Sequence, residues 1–184
     1  MQIEQSEIPA VKIITPVKHG DSRGFFSEVY KQSDWEKAGL LYHFVQDNHS
    51  YSAPAGTVRG LHFQIGPHAQ DKLVRVIRGC IMDVVVDIRR SSPTFGKHIA
   101  VELSAENWRQ LFIPIGFAHG FVTLHPDTEV IYKVTAPYSS IDERGLAFDD
   151  PDLGIMWPLP PGGAILSKKD KGWPRLRDLA DTFV

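Results

Sequence analysis

The sequence has little of several features that would assign it to whole classes of protein. Cys80 is the only cysteine in the 184 residues, so an intrachain disulfide is excluded and a thiolate metal site would need other ligands. No apolar run approaches the ~18 residues that span a bilayer. The 20 Lys and Arg residues nearly balance the 22 Asp and Glu residues. The resulting net charge of −2 does not indicate binding to nucleic acid or to an anionic membrane. Any anionic ligand must therefore be held by local cationic side chains.

The first residues also lack a targeting signal. Residues 1–7 contain neither the basic segment nor the apolar segment of a secretory signal, so we expect a cytoplasmic protein. No internal repeat, low-complexity tract or linker interrupts the chain. The length and the 42% hydrophobic content suit one sizeable core, which predicts a single domain over residues 1–184.

Short strand-like segments dominate the chain. After a strand at 11–15 and a hairpin near 19–30, we predict strands at 41–51, 57–64, 72–78, 81–88, 98–103, 110–113, 120–124 and 128–135. Ser33 and Glu36 form a capping-box pattern that predicts a short helix ending at Gly39. At most one further short helix, broken by Pro174, is predicted within 167–181. This spacing of strands indicates an all-β sandwich or barrel.

Polar side chains are concentrated in the two strands of residues 46–64. Gln46, Asn48, His49, Arg59 and His62 supply more hydrogen-bonding groups than a packed strand requires, which favours a lined pocket. A structural histidine and solvated amides are the alternative interpretation. Side chains two apart on a strand share a face, so Arg59 and His62 reach one pocket only if a bulge or bend lies between them, at Gly60.

The same period applies to two later strands. Tyr132 shares a face with Val130 and Val134 and is therefore predicted to point inward, as a core tyrosine also would. Lys72 lies at the start of a strand whose inward face carries Val74, although lysine is rarely buried without a partner.

Several motifs, in this order and spacing, resemble one family over nearly the whole chain. They are residues 21–26 (DSRGFF), 46–50 (QDNHS), 59–64 (RGLHFQ), 72–76 (KLVRV), 89–96 (RRSSPTFG), 114–121 (PIGFAHGF), 132–133, 138, 142–145 (DERG), 149–151 and 166–170 (LSKKD). The sequence is similar to the dTDP-4-dehydrorhamnose 3,5-epimerases.

The resemblance implies a fold, an assembly and a reaction. The fold would be a cupin-type double-stranded jelly-roll barrel with a few short peripheral helices, in a homodimer that exchanges N-terminal strands. The reaction would be the cofactor-independent and metal-independent epimerisation of dTDP-4-dehydro-6-deoxy-D-glucose at carbons 3 and 5. Its product would be dTDP-4-dehydro-L-rhamnose, an intermediate of dTDP-L-rhamnose and polysaccharide biosynthesis.

The resemblance also implies a role for individual residues. His62 would be the base, Asp170 its orienting partner, Lys72 the stabiliser of the enolate oxygen and Tyr132 the acid. Tyr138 would stack on thymine, and Arg23 and Glu28 would reach the partner's site. The remaining residues expected to contact the nucleotide sugar are Gln46, Asp47, Asn48, Arg59, His119, Glu143 and Lys168.

These residue types suit the chemistry. The hydrogens on carbons 3 and 5 both lie beside the ketone at carbon 4, so loss of either gives an enolate with its charge on the same oxygen. A histidine held by a carboxylate can remove such a proton near neutral pH, and a nearby ammonium can stabilise the oxygen. A phenol can return a proton from the other face.

Three other functions are compatible with the same barrel. A metal-dependent cupin is disfavoured because residues 60 and 64 are Gly and Gln, so His62 has no histidine two residues away. A non-catalytic sugar-nucleotide binding module would not need a base, an orienting carboxylate, a cation and an acid together. Single-carbon epimerases and ketoisomerases of similar nucleotide sugars share the binding residues and are separated less firmly.

Overall fold

The computed structural model describes residues 1–183, and most of its strands form two antiparallel sheets that face each other. The six-stranded sheet has the order β1 (Gln2–Gln5), β2 (Lys12–Thr15), β10 (Gln110–Ile113), β7 (Lys72–Arg78), β12 (Thr128–Val134) and β5 (Gln46–Ser52). The five-stranded sheet has the order β13 (Glu143–Gly145), β6 (Val58–Gln64), β11 (Phe117–Thr123), β8 (Cys80–Asp87) and β9 (His98–Ser104). A hairpin of β3 (His19–Asp21) and β4 (Gly24–Phe26) stands apart. The predicted all-β barrel is confirmed.

Helical structure is limited to short peripheral pieces. The helix α1 (Gln32–Lys37) ends as predicted, with Gly39 at φ 77°. The predicted capping box is wrong, because the N-cap is Lys31 and Ser33 already lies inside the helix. Two 3-10 turns, Asp170–Gly172 and Leu176–Asp178, flank Pro174 in the segment where at most one short helix was expected. Within the described residues no helix is long and apolar enough to cross a membrane.

Several strand predictions differ from the structure, and β11 begins at Phe117 instead of residue 120. Residues 41–45 are not part of β5, because Tyr42 and Phe44 pack with Trp35 and Phe112 on the outside of the six-stranded sheet. The short strands β1 and β13 were missed, since four and three residues give no detectable alternation.

The closed end of the barrel is filled by apolar side chains from both sheets. Val74, Val76, Leu111 and Val130 of the six-stranded sheet meet side chains of β8, β9 and β11 from the opposite sheet. Tyr132 packs against this cluster at its edge. The core therefore fills one end of the barrel and forms the floor of a cleft at the other.

The C-terminal part of the chain covers the outer face of the five-stranded sheet. Leu146, Leu153 and Leu179 are buried there against Leu61, Val84 and other residues of β6, β8 and β11. Because both faces of this sheet are covered, seven of the eight residues of β8 are buried. The same covering segment carries residues 167–173 to β6.

A buried ion pair connects β8 to the loop that follows it. Asp87 is fully buried and accepts hydrogen bonds from Arg89 Nε at 2.9 Å and Nη2 at 2.6 Å. Ser92 Oγ and Thr94 Oγ1 each donate to the same carboxylate at 2.6 Å. Burial alone would raise the pKa of Asp87, but these hydrogen bonds outweigh it and lower the pKa to about 2. Asp87 therefore stabilises the fold above pH ~4, and this contribution is lost as the pH falls towards 2.

We predict that Arg89→Met lowers the free energy of unfolding at pH 7 by about 2 to 4 kcal/mol, because it leaves a buried carboxylate without its counter-ion. Urea unfolding of the variant measures this loss. Arg177→Met is the matched control, since Arg177 and its partner Asp178 are both more than half exposed and lie 3.8 Å apart. Equal stability of the two variants would contradict the importance of the Asp87 pair.

Candidate active site

Two adjoining cavities of about 390 and 300 Å³ form one cleft at the open end of the barrel. Both are lined by His62, Lys72, Tyr132, Tyr138 and Glu143. The first continues to Arg59, His119, Lys169 and Asp170, and the second to Gln46 and Asn48. Most of the predicted site residues, far apart in sequence, therefore surround one space.

A bulge in β6 brings Arg59 and His62 to this cleft. His119 of β11 lies opposite His62 and Phe121 lies opposite Arg59, so β6 has one residue more than β11 in this interval. The two strands approach so closely that a Cβ atom on Gly60, whose φ is 118°, would lie 2.5 Å from the Cα atom of Gly120. The predicted irregularity at Gly60 is confirmed, and both side chains line the same cavity.

His62 is held by a carboxylate from the C-terminal segment. Its Nε2 atom lies 2.5 Å from Asp170 Oδ1, and Ser167 Oγ and Trp173 Nε1 donate to the same carboxylate at 2.8 and 3.3 Å. Burial would raise the pKa of Asp170, but the hydrogen bond with His62 and that with Ser167 keep the pKa below its usual value. A carboxylate at Nε2 favours the tautomer with the proton on that nitrogen and leaves Nδ1 to accept a proton.

Lys72 enters the cleft from the opposite sheet. Its side chain is buried, and Nζ donates a hydrogen bond of 3.3 Å to the carbonyl oxygen of His62. Burial lowers the pKa of Lys72 to about 8, against the opposing effect of the Asp83 and Glu143 carboxylates. The inward orientation predicted for Lys72 is confirmed, and its ammonium lies between the two sheets.

Tyr132 lies on the wall opposite His62. Its strand, β12, belongs to the six-stranded sheet, whereas β6 belongs to the five-stranded sheet. The side chain is partly buried, and its hydroxyl makes no hydrogen bond within residues 1–183. Burial raises the pKa of Tyr132, while Arg59 opposes the shift, so the phenol keeps its proton at neutral pH.

Glu143 joins the mouth of the cleft to the C-terminal segment. Lys169 Nζ lies 2.7 Å from Glu143 Oε1, and Tyr138 Oη donates to Oε2 at 2.9 Å. Burial would raise the pKa of Glu143, but the hydrogen bonds from Lys169 and Tyr138 lower it. Lys168, which was predicted from the sequence to contact the nucleotide sugar, is exposed and does not line the cleft. The next residue, Lys169, lines the cleft instead.

The polar side chains of β5 alternate between the cleft and solvent. Gln46 donates to Asn48 Oδ1 at 2.8 Å and accepts from the backbone N–H of Tyr138 at 3.2 Å. Asp47 points away from the cleft and pairs with Lys133 at 2.8 Å, as strand alternation requires. The predicted substrate contact of Asp47 is therefore not supported by the geometry.

His119 is buried beside His62 on the neighbouring strand, and its Nε2 atom lies 2.8 Å from Asp83 Oδ1. Burial lowers the pKa of His119, and the Asp83 carboxylate opposes this effect. His119 is therefore neutral at pH 7.

Arg23 and Glu28 lie outside the cleft of their own chain. Arg23 is in the hairpin of β3 and β4, is largely exposed and pairs with Asp21. Glu28 pairs with Lys31 at 3.1 Å and lines a separate cavity of about 220 Å³ near Met1 and Trp35. The predicted contact of Arg23 and Glu28 with the nucleotide sugar therefore requires the cleft of a partner subunit.

Sequence reasoning missed several residues of the cleft. Lys169, Ser167 and Trp173 surround the Asp170 carboxylate or Glu143, and Ser50 and Phe121 complete the lining. The adjacent pair Lys168 and Lys169 gave no signal for which lysine faces inward. Within residues 1–183, no group of three or more His, Cys, Asp or Glu side chains is arranged to hold a metal ion.

Known proteins match this chain over nearly its whole length. A family profile described as dTDP-4-dehydrorhamnose 3,5-epimerase matches residues 5–178. The chain belongs to the dTDP-4-dehydrorhamnose 3,5-epimerase family. The family member from Sinorhizobium fredii is 52% identical over 183 residues, which cover 100% of this chain and 93% of the relative.

Solved structures of the family have the same fold. The dTDP-4-dehydrorhamnose 3,5-epimerase of Bacillus anthracis, with TDP and PPi bound, has a TM-score of 0.91 and 48% identity, covering 95% of this chain and 98% of that one. The dTDP-6-deoxy-D-glucose-3,5-epimerase of Legionella pneumophila, in complex with dTDP-4-keto-L-rhamnose, has a TM-score of 0.92 and 44% identity, covering 98% and 94%. The cupin-type jelly roll expected from the sequence is confirmed.

Proposed function

We propose that the protein is an isomerase that epimerises dTDP-4-dehydro-6-deoxy-D-glucose at carbons 3 and 5 to dTDP-4-dehydro-L-rhamnose, a step of dTDP-L-rhamnose biosynthesis. The observation that carries the proposal is the placement of a histidine base and a tyrosine acid on opposite sheets, with a buried ammonium between them. Family membership over the whole chain and the ligands of related structures support the same substrate.

His62 is the proposed base. Its free imidazole nitrogen takes the proton from carbon 5 or carbon 3, and the electrons of the broken C–H bond move through the neighbouring carbon to the ketone oxygen at carbon 4. Asp170 holds the imidazole in orientation and stabilises the imidazolium that forms, at the 2.5 Å distance already present. A general base in this position contributes typically about 10²- to 10⁴-fold to the rate.

Lys72 is the proposed partner of the oxygen at carbon 4. Both deprotonations place negative charge on that oxygen, so one ammonium serves both. Because Lys72 is buried, its charge acts in a medium of low dielectric and needs no large rearrangement when the enolate forms.

Tyr132 is the proposed acid. Inversion requires the new proton to arrive on the face opposite to the one from which the first proton was removed. Tyr132 stands on the sheet opposite His62 and keeps its proton at neutral pH because burial raises its pKa. Transfer of the phenolic proton to carbon restores the ketone and leaves the inverted centre.

The rest of the nucleotide sugar has polar and aromatic partners along the cleft. We assign the diphosphate to Arg59 and Lys169, the thymine ring to Tyr138, and further polar contacts to Gln46, Asn48, His119 and Glu143. Arg59 is already oriented by hydrogen bonds to Ser52 Oγ at 3.2 Å and to the carbonyl oxygen of Tyr51 at 2.9 Å. Neither Asp47 nor Lys168 is included in this proposal.

A homodimer with exchanged N-terminal strands remains part of the proposal. In the single chain β1 pairs with β2 at an edge of the six-stranded sheet, and Phe25 and Phe26 of the hairpin are 57% and 66% exposed. Burial of these rings against a second subunit would carry the nearby Arg23 and Glu28 towards the partner's cleft. The cytoplasmic location also remains a prediction.

The proposal is tested by proton NMR of dTDP-4-dehydro-6-deoxy-D-glucose incubated with the protein in heavy water. We expect deuterium at sugar carbons 3 and 5 of the product and inversion at both centres. Deuterium at one carbon only would replace the proposal with a single-carbon epimerase. No exchange, together with retained binding of dTDP, would favour a binding module.

A further inference from the structure

The carboxylate that orients His62 is itself bound by a tryptophan outside the cleft. Trp173 Nε1 donates to Asp170 Oδ1 at 3.3 Å, and the same oxygen atom lies 2.5 Å from His62 Nε2. The indole also meets the imidazole of His62, with ring centroids 6.0 Å apart and ring planes at 71°. Trp173 lines neither cavity of the cleft. One indole therefore contacts both members of the pair without entering the space that a substrate would occupy.

The local sequence accounts for the backbone conformation of Trp173. A residue that precedes proline is biased towards the extended region, and Pro174 follows here. Trp173 has φ −71° and ψ 145°, so the chain leaves the 3-10 turn Asp170–Gly172 at this residue. The carbonyl oxygen of Pro174 then accepts a hydrogen bond of 2.8 Å from the backbone N–H of Ala147. The backbone on both sides of Trp173 is therefore anchored.

The indole rests on a glycine of β13. Gly145 lies opposite His62 in the ladder formed by β13 and β6. A Cβ atom on Gly145 would lie 2.6 Å from Cδ2 and Cε2 of Trp173, the two atoms that the rings of the indole share. Any larger residue at position 145 would therefore occupy the place of the indole. The absence of a side chain at this position of β13 lets Trp173 reach His62.

The other donor to Asp170 binds a different oxygen atom. Ser167 Oγ donates to Oδ2 at 2.8 Å, and the backbone N–H of Asp170 donates to Ser167 Oγ at 3.1 Å. These bonds connect the carboxylate to its own turn, whereas Trp173 and His62 are the groups at Oδ1. The Asp170 side chain is only 5% exposed, so water has little access to replace a lost donor.

We propose that Trp173 is a positioning residue that holds Asp170 against His62 and limits the access of water to their contact. Its effect on the reaction rests on the proposed function, in which His62 is the base. The arrangement of the pair in the free protein does not depend on any substrate. The two effects can therefore be measured separately.

Proton NMR of the free protein in water tests the arrangement of the pair. We expect a strongly downfield resonance from the Nε2 proton of His62, because that proton lies in a short hydrogen bond to a carboxylate. The loss of this resonance in His62→Asn identifies it. The resonance should persist in Trp173→Phe, which keeps an aromatic ring. In Trp173→Leu, which also removes the ring, exchange with water should broaden the resonance beyond detection.

The activity of the same variants tests the effect on the reaction. We expect kcat to fall by about 10- to 100-fold in Trp173→Leu, since a misplacement of about 1 Å can cost about 100-fold. In Trp173→Phe the loss should not exceed about 10-fold, the effect of one hydrogen bond. The affinity for dTDP should be unchanged in both variants, because the indole does not line the cleft. A merely structural defect would lower turnover and affinity together.

Trp157→Leu is the matched control. Trp157 lies in the same covering segment and is also partly buried, but its Nε1 donates to the carbonyl oxygen of Phe148 at 2.7 Å. The downfield resonance and kcat of this variant should equal those of the wild type. If Trp173→Leu does not fold, Trp173→Met removes the same ring with a longer, flexible side chain.

A resonance that persists in Trp173→Leu, or that the wild type lacks, would overturn the inference, whatever happens to turnover. Loss of the resonance with an unchanged kcat would instead uphold the positioning of the pair and remove Asp170 from the proposed reaction. The failure of the inference and the failure of the proposed function are therefore distinguishable.

Discussion

The His62→Asn variant is expected to lose about 10³-fold or more in kcat, the upper part of the range for removal of a general base. Asparagine retains a polar group near Asp170 but cannot take a proton from carbon. Because the diphosphate and thymine are assigned to side chains at the mouth of the cleft, dTDP should bind with nearly unchanged affinity. Steady-state kinetics, deuterium incorporation in heavy water and calorimetric titration with dTDP measure the three quantities.

The chain contains a matched control for this substitution. His68 forms a comparable pair with a carboxylate, with Nδ1 at 2.7 Å from Asp142 Oδ2, but it does not line the cleft. His68→Asn should leave kcat unchanged. If His62→Asn still exchanged deuterium at both carbons at the wild-type rate, His62 would not be the base.

The Lys72→Met variant is expected to lose about 10²- to 10³-fold in kcat, as is found when one donor is removed from an oxyanion site. Methionine fills a similar volume but offers no charge to the oxygen at carbon 4. In the wild type, activity should fall as the pH rises through about 8, where Lys72 loses its proton. The pH profile of kcat/KM should lack this limb in the variant. Retention of the limb would show that another group causes it.

The pH dependence of the free energy of unfolding gives an independent measure of the pKa of Lys72. Because burial lowers the pKa of Lys72 from 10.5 to about 8, the unfolded chain binds more protons than the folded chain between these pH values. The wild type should therefore gain roughly 2 to 4 kcal/mol relative to Lys72→Met as the pH rises through this window. Urea unfolding of both proteins at several pH values measures the difference, in which the contributions of other groups cancel. A constant difference would mean that Lys72 titrates normally.

Regular alternation and turn residues made much of the fold predictable. The strand at residues 72–78 was predicted with its correct bounds, and Gly39 ends α1 as expected, because each depends on neighbouring residues alone. The capping box at Ser33 failed for the converse reason. Its sequence pattern is local, but the helix begins after Lys31, and its Trp35 side chain packs against Phe112 of a distant strand.

The sequence alone determined the class of fold and the family, because strand alternation and motifs depend on the order of residues along the chain, and the resemblance to the family implied the four proposed catalytic side chains. It also located the irregularity at Gly60, since strand geometry would otherwise keep Arg59 and His62 apart. Tertiary structure alone decided which side chains meet. Asp170 lies 108 residues after His62 and reaches it only because the C-terminal segment covers the outer face of the five-stranded sheet.

The same segment turns Lys169 rather than Lys168 into the cleft. Asp83 reads in the sequence as an ordinary polar residue of a strand, and only the closure of two sheets over it leaves its carboxylate buried beside His119. Charges that are neighbours in space but distant in sequence change one another's protonation, and that coupling is set by the packed barrel and not by any local pattern of residues.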